Sequence, residues 1–402
     1  MSIDSATPPA PRKVLFLSEA VTWSQVVRLV VLARSLDPAR FEVSFAASKF
    51  DPRLFGDAPF ARHTVRSLAQ SEVDKRIARG GRIYDRKTLS LYVEDECRLF
   101  SEVRPDLVVS DLRWSTAISA PLCKVRLASL IDAYWFRSDQ EFPIPDHPAV
   151  SLFGVAQVRR GFALGLPFVM RHFAAPVNAL RRAHGLPALG ELRDVLGFGD
   201  RLLFPDEPGL VPSNRSGSYL GPVLWAPELP LPAWWPEVGQ DRPLVYVTLG
   251  SSGALQVVPK ILEALSLLDV DVVLSTAARA VGSDRASRVR VVDAIRGDLA
   301  ARRASLVICS GGASTGWQAL AEGTPVIGLP SNLDACLAMS CIEAAGAGVA
   351  LRTNAKVAEI RAVVARCLID DSLKAAARAV ARSFAAMRAP ERFRTVVDEM
   401  LA

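Results

Sequence analysis

The chain alternates short apolar runs with segments whose apolar residues recur at helical spacing. Apolar runs at Lys13–Ser18, Phe41–Ala47 and Asp106–Ser110 predict buried strands, whereas Leu89–Val103 carries the spacing of a helix. Strands that alternate with helices along the chain are typical of a parallel, doubly wound sheet. The pattern therefore predicts an α/β fold for the first half of the chain.

The second half repeats this alternation after a connection rich in proline and glycine, Phe204–Pro243. Apolar runs at Leu244–Leu249, Leu306–Cys309 and Pro325–Leu329 predict three of its strands. We therefore predict two Rossmann-like domains. The expected divisions are a flexible tail at 1–12, an N-terminal domain at 13–212, a linker at 213–243, a C-terminal domain at 244–387 and a terminal helix at 388–402.

One segment, Pro143–Val177, departs from the alternation because it is apolar and aromatic yet interrupted by arginines and prolines. It fits a helical cap over the first sheet, since apolar helices are usually core. It also fits the wall of a pocket for an apolar ligand. The sequence leaves both interpretations open.

A glycine-rich turn follows two of the strands in the second half, at Gly250–Gly253 and at Ser310–Thr315. Glycine lets the backbone approach a ligand closely, and exposed N–H groups in such turns suit an anionic group. Ser314 and Thr315 are expected to cap the helix that follows, whose positive end favours a phosphate. A tight turn that only packs helix on sheet is the competing interpretation.

The amino-acid composition and net charge limit the classes of partner that we expect. The 402 residues carry a formal net charge of +6, and no lysine- or arginine-rich block with interleaved aromatics argues for nucleic acid. An excess of basic residues is compatible with anionic substrates, and it is equally compatible with peripheral contact with an anionic membrane surface. No apolar run approaches a membrane span, and residues 1–12 lack a signal-peptide core, so a cytoplasmic protein is expected. The oligomeric state stays open.

The six cysteines are scattered without a C-x-x-C pair, so all six are expected to be free thiols in a reducing compartment. The spacing of Cys336 and Cys341, with no histidine nearby, is poor for zinc. No metal site is expected.

The stretch Leu306–Arg352 resembles the donor-binding signature of the GT-B glycosyltransferases that act in plant flavonoid and bacterial antibiotic biosynthesis. The departures are Ser310 for the usual histidine, Gln318 for glutamate and Ala335 for glutamine. The resemblance implies a UDP- or dTDP-sugar as co-substrate, no cofactor, and two domains that face each other across a cleft. It assigns donor binding to Thr248, Gly250, Ser251, Ser252, Ile295, Ser310, Gly311, Gly312, Ala313, Ser314, Thr315, Gln318 and Asp334.

The segments Leu17–Arg28 and Pro105–Arg113 resemble the bacterial branch of the same family. In that branch a histidine of the first helix is the general base, and an aspartate after a later strand orients it. The resemblance places Gln25 at the histidine position and Asp111 at the aspartate position. Because glutamine cannot take up a proton near neutral pH, either Asp111 acts directly or the acceptor needs little activation.

The resemblance thus implies an inverting glycosyltransferase that acts on a small, apolar acceptor. Two other hypotheses remain. One is a glycosyltransferase-like binding protein with lost or weakened catalysis, which the replacement of the base by Gln25 would explain. The other is a sugar epimerase or hydrolase on the same fold, which is less favoured because its usual carboxylates are not recognisable.

Overall fold

A computed structural model describes residues 10–78, 81–137, 154–250, 253, 255–276 and 288–402. The chain divides into two compact units. Unit 1 comprises Met1–Ile131, Arg171–Leu203 and Pro390–Ala402, and unit 2 comprises Asp132–Met170 and Phe204–Ala389. Residues 132–170 therefore group with the second unit, whereas the sequence pattern had placed them in the N-terminal domain.

The first sheet has seven strands among the described residues, in the order β3-β2-β1-β4-β5-β6-β7. The pairings from β3 to β6 along this order are parallel. Its strands are β1 Arg12–Ser18, β2 Phe41–Ala47, β3 Ala61–Thr64, β4 Leu107–Asp111, β5 Leu127–Leu130, β6 Arg201–Phe204 and β7 Ser218–Tyr219. The central strands β1 and β4 are buried almost throughout, as expected for a sheet covered by helices on both faces.

The second sheet has six parallel strands within the described part of the chain, in the order β10-β9-β8-β11-β12-β13. They are β8 Leu244–Thr248, β9 Asp271–Ser275, β10 Val289–Val292, β11 Leu306–Cys309, β12 Val326–Gly328 and β13 Gly348–Ala350. Two parallel, doubly wound sheets confirm the predicted fold class, and both strand orders reverse direction next to the first strand of their sheet.

The helices lie between these strands in sequence. They are α1 Trp23–Arg34, α2 Pro52–Phe55, α3 Gln70–Ala78, α4 Arg86–Val103, α5 Thr116–Cys123, α6 Val155–Ala183, α7 Leu192–Leu196, α8 Val258–Ser266, α9 Gly297–Arg303, α10 Ala313–Ala321, α11 Leu333–Ala344, α12 Val357–Ile369, α13 Asp371–Ala385 and α14 Ala389–Leu401. Short 3-10 helices cover Ala133–Phe136, Trp235–Glu237 and Leu255–Val257.

Each unit has its own apolar core. In unit 2 the strands β8, β9 and β11 pack against α8, α12 and the start of α13. In unit 1 the rings of Phe16, Phe45, Phe55 and Phe393 form a chain of contacts, so α14 packs on the sheet of unit 1. The segment predicted as a cap or pocket wall, Pro143–Val177, lies partly outside the described residues, and its second part, residues 155–177, lies in α6.

Candidate functional site

In unit 2, two glycine turns leave the sheet side by side. The register pairs Cys309 with Thr248, so β8 and β11 end next to each other and their loops start at the same edge. A Cβ added at Gly253 would lie 3.0 Å from the Cβ of Ser310, which shows how closely the loops approach. Thr248, Gly250 and Ser310 are thus brought together, whereas Ser251 and Ser252 lie outside the described residues.

Gly311 is required by the turn that follows β11. Its φ is +80°, and a Cβ there would come within 2.7 Å of Met339 Cγ in α11. A residue with a side chain would therefore be strained and would also collide with the neighbouring helix. Gly312, in contrast, has an extended φ of −72°, and a Cβ there would find its nearest neighbour, Ser310 Oγ, 4.0 Å away.

The N-terminus of α10 is capped differently from the sequence expectation. Gly312 is the N-cap residue, so Ser314 and Thr315 are helical residues of the first turn and not caps. The reason is that the strand ends at Cys309 and the left-handed Gly311 already turns the chain into the helix. Glycine has no side chain to satisfy the first N–H groups, which start at Ala313 and suit an anion.

Gln318 lies against the start of α9, two residues after Ile295. The Gln318 amide donates a hydrogen bond to the Trp225 carbonyl at 2.7 Å. A Cβ added at Gly297 would collide with Gln318 Oε1, so the side chain lies directly against the first residue of α9. Gln318 thus packs α10 against the start of α9, and the nearby side chain of Ile295 is buried.

Asp334 occupies the first turn of α11, behind the N-cap residue Asn332, whose side chain accepts the Ala335 N–H at 2.9 Å. Its Oδ1 accepts two hydrogen bonds, from the Tyr134 hydroxyl and from the Trp135 indole, both at 3.0 Å. All these residues belong to unit 2. The family resemblance pointed to Asp334 but not to its two aromatic partners, which lie 200 and 199 positions away.

In unit 1 the two predicted catalytic residues have different hydrogen-bond partners. Gln25 Oε1 accepts the backbone N–H groups of Val21 and Thr22 at 3.1 and 3.0 Å, so this side chain completes a capping box at the start of α1. Asp111 is fully buried and receives both Nε and Nη2 of Arg28, at 3.0 and 2.9 Å. The ion pair with Arg28, three residues after Gln25, occupies the carboxylate that was expected to orient a base.

A second buried carboxylate lies at the end of β1. Glu19 is 1% exposed, its Oε1 accepts from the Tyr92 hydroxyl at 3.0 Å, and its Oε2 lies 3.5 Å from Arg113 Nη1. Burial raises the pKa of Glu19 to about 7, although the Arg113 charge and the Tyr84 and Tyr92 hydroxyls act in the opposite direction. The sequence patterns did not point to Glu19, although an acidic residue directly after a strand end is a signal that could have indicated it.

The same network contains a third acidic group and two strained backbone positions. Arg113 donates to Glu96 Oε1 at 2.6 Å, and Glu96 is fully buried. Ala20 and Leu112, next to Glu19 and Arg113, have φ values of 54° and 50°. Strain of this kind in non-glycine residues clusters at functional sites, because surrounding contacts must hold it in place.

Within the described ranges, no group of histidine, cysteine or acidic side chains could hold a metal ion. All six cysteines are free thiols in the structure. Over those same residues, no helix combines the length and apolarity needed to cross a membrane.

Comparison with known proteins finds a family match in the second half. Residues 259–400 match the family described as Erythromycin biosynthesis protein CIII-like, C-terminal domain. Over 389 residues the chain is 40% identical to a PGL/p-HBAD biosynthesis glycosyltransferase of Mycobacterium tuberculosis strain H37Ra, covering 95% of this chain and 91% of the relative. It is 41% identical over 348 residues to a PGL/p-HBAD biosynthesis rhamnosyltransferase of Mycobacterium bovis BCG, covering 85% and 77%.

One shorter match has a different name. An inactive PGL/p-HBAD biosynthesis glycosyltransferase of Mycobacterium bovis BCG is 39% identical over 269 residues, which cover 65% of this chain and 74% of that relative.

Solved structures share the fold over nearly the whole chain. The spinosyn rhamnosyltransferase SpnG, complexed with thymidine diphosphate, superimposes with a TM-score of 0.69 at 20% identity and covers 96% of this chain and 100% of its own. The complex of SpnG with the spinosyn aglycone has the same TM-score and identity, covering 96% and 99%.

Proposed function

The chain belongs to the GT-B natural-product glycosyltransferases that include the mycobacterial PGL/p-HBAD biosynthesis glycosyltransferases, and on that premise we propose that its donor is a nucleoside diphosphate sugar. The nucleotide is UDP or dTDP, and the acceptor is small and apolar with one reactive hydroxyl. The acceptor oxygen attacks the anomeric carbon as the bond to the diphosphate breaks on the opposite face, which inverts that centre. The acceptor proton leaves to solvent or to a protein group.

The observation that carries this proposal is the pair of adjacent glycine turns at the edge of the second sheet. The N-terminus of α10 after Gly312 has no side-chain cap and lies beside the end of β8, so its backbone N–H groups and positive helix end meet at this edge. A diphosphate that leaves with its bonding electron pair gains negative charge in the transition state. Fixed donors at that place stabilise the developing charge more than they stabilise the bound substrate.

Neither residue assigned to the base is well suited to that role. The Gln25 side chain is a helix cap, and the Asp111 carboxylate is buried in an ion pair with Arg28. We therefore favour the branch in which the acceptor hydroxyl ionises with little help. In a series of acceptors of equal shape, the rate should then rise steeply as the pKa of the hydroxyl falls. A rate independent of that pKa would favour a dedicated protein base.

The competing hypothesis is a binding protein with lost catalysis. It draws support from the relative named inactive and from the departures at Gln25 and Ala335. The two longer matches are named as transferases, and the glycine turn that contains Gly311 and Gly312 lies wholly in the described residues. The transferase is therefore preferred. Incubation with a panel of UDP- and dTDP-sugars and acceptors, with detection of the released nucleoside diphosphate, separates the two hypotheses.

A substitution at Gly312 tests the donor site. Because a Cβ there meets open space, Gly312→Val should fold normally while its side chain blocks the approach of an anion to α10. We expect the Kd for the nucleoside diphosphate to rise at least about tenfold, equivalent to about 1.4 kcal/mol, in isothermal calorimetry. The matched control is Gly165→Val in α6, where a Cβ also has no neighbour within 4 Å. Unchanged affinity of Gly312→Val for every nucleotide that the parent binds would overturn the site assignment.

A further inference from the structure

The 3-10 helix Ala133–Phe136 is hydrogen-bonded to Asp334, the carboxylate that the family resemblance assigns to donor binding. Tyr134 is 1% exposed, and its hydroxyl and the Trp135 indole reach the same atom, Asp334 Oδ1. An indole N–H can only donate, so it can only hold an acceptor oxygen. Two rigid aromatic donors therefore fix both the position and the rotation of one carboxylate.

The 3-10 helix is itself anchored at a second carboxylate. The Ala133 N–H donates to Asp206 Oδ2 at 2.6 Å, and the Trp317 indole of α10 donates to Asp206 Oδ1 at 3.0 Å. Asp206 is fully buried, so these bonds are shielded from water. The peptide that carries Tyr134 and Trp135 is thus held against the helix whose N-terminus forms the donor site.

A carboxylate oxygen has two lone pairs, and two donors use both on Oδ1 of Asp334. A sugar hydroxyl that binds this residue therefore meets a carboxylate whose Oδ1 is held by these two bonds. Because Oδ1 cannot move without breaking two hydrogen bonds, Tyr134 and Trp135 help to set the direction from which the carboxylate receives that hydroxyl. An unrestrained aspartate could rotate to meet hydroxyls of different configuration.

We propose that Tyr134 and Trp135 are positioning residues that orient Asp334 toward one hydroxyl of the donor sugar and so determine which sugars the enzyme transfers. This inference rests on the proposed function, since it assumes a nucleoside diphosphate sugar in the donor site. It adds a source of sugar selectivity outside the donor signature itself, in the 3-10 helix that follows β5.

The experiment compares the parent with Tyr134→Phe, Trp135→Phe and Asp334→Asn. Tyr134→Phe removes one hydroxyl and leaves the ring, so packing is retained. For the preferred nucleoside diphosphate sugar, we expect kcat/KM to fall about tenfold in each single aromatic variant and further in Asp334→Asn. The Kd for the nucleoside diphosphate alone should stay at the parental value. Tyr219→Phe is the matched control, because it removes a hydroxyl that donates to the Val211 carbonyl at 2.8 Å in the same unit.

The decisive measurement uses donors that each lack one sugar hydroxyl. For the donor that lacks the hydroxyl bound by Asp334, parent and aromatic variants should react at the same rate, because the interaction that the variants weaken is already absent. This is the double-mutant-cycle signature of a shared interaction. A purely structural role would instead lower the rate with every deoxy donor equally and would weaken binding of the bare nucleoside diphosphate. That result would overturn the inference.

Failure of the proposed function gives a different result. If the parent releases no nucleoside diphosphate from any donor, the transferase proposal fails, and calorimetric Kd values for the same donors replace kcat/KM in the comparison. Selective weakening of sugar nucleotides over the bare nucleotide by Tyr134→Phe would then still support the positioning role. Equal Kd values for sugar nucleotides in parent and variants would overturn it.

Discussion

The ion pair between Arg28 and Asp111 allows a direct test of whether Asp111 contributes chemistry or stability. Both carboxylate oxygens of Asp111 accept from the guanidinium, and the two side chains are 0% and 9% exposed for Asp111 and Arg28. In Asp111→Asn the buried guanidinium of Arg28 loses the negative charge of Asp111, and the amide N–H₂ that replaces one oxygen is a donor that faces the donors of Arg28. We therefore expect the main effect of this substitution to be a lower free energy of unfolding.

The size of the loss follows from the burial. Removing one partner of a buried ion pair costs about 3–5 kcal/mol, which is a large part of the roughly 5–15 kcal/mol that stabilises a typical protein. If the free energy of unfolding decreases by about 3 kcal/mol per molar urea, the urea midpoint for unfolding of unit 1 should fall by about 1–2 M. Far-UV circular dichroism in urea measures this shift.

A paired replacement separates stability from catalysis. Arg28→Met with Asp111→Leu removes both charges at similar volume and should recover most of the midpoint, since such replacements are often neutral or stabilising. If Asp111 is structural, the recovered double variant turns over its donor at nearly the parental rate. A structural role for Asp111 would be refuted if Asp111→Asn kept the parental midpoint and lost activity by about 10²–10⁴-fold, as removal of a general base does.

Two further predictions concern unit 1. Because burial raises the pKa of Glu19 from 4.5 to about 7, the folded state holds this proton more tightly than the unfolded state, so stability should fall as pH rises between these values. The decrease should reach roughly 3 kcal/mol and vanish in Glu19→Gln, as measured by urea unfolding across pH 4.5–7.5. Gln25→His should lower stability by about 1 kcal/mol, because the capping oxygen is lost. Turnover should stay within about threefold of the parental value, because both oxygens of Asp111 already accept hydrogen bonds from Arg28. A gain of about 100-fold or more would instead show that Asp111 orients the new imidazole as a general base.

Local patterns determined most of the fold. The strand Phe41–Ala47 has its predicted bounds, and the helix predicted at Leu89–Val103 ends at its predicted residue and begins three residues earlier, at Arg86. Apolar periodicity and stop signals act over a few residues, so they can be read along the chain. The glycine turns were predictable for the same reason, because a left-handed residue at a strand exit, here Gly311, needs glycine.

The chemistry of the candidate site was decided by tertiary structure. Gln25 and Arg28 lie one turn apart on α1, and the sequence could not tell which of them would meet Asp111, 83 positions beyond Arg28. Likewise, the sequence around Asp334 does not indicate that the hydroxyl of Tyr134, 200 positions earlier, donates a hydrogen bond to its Oδ1. A buried charge is satisfied by whichever donor the packed elements bring within hydrogen-bond reach. That choice depends on how strands neighbour one another and how helices rest on them, which no local pattern encodes.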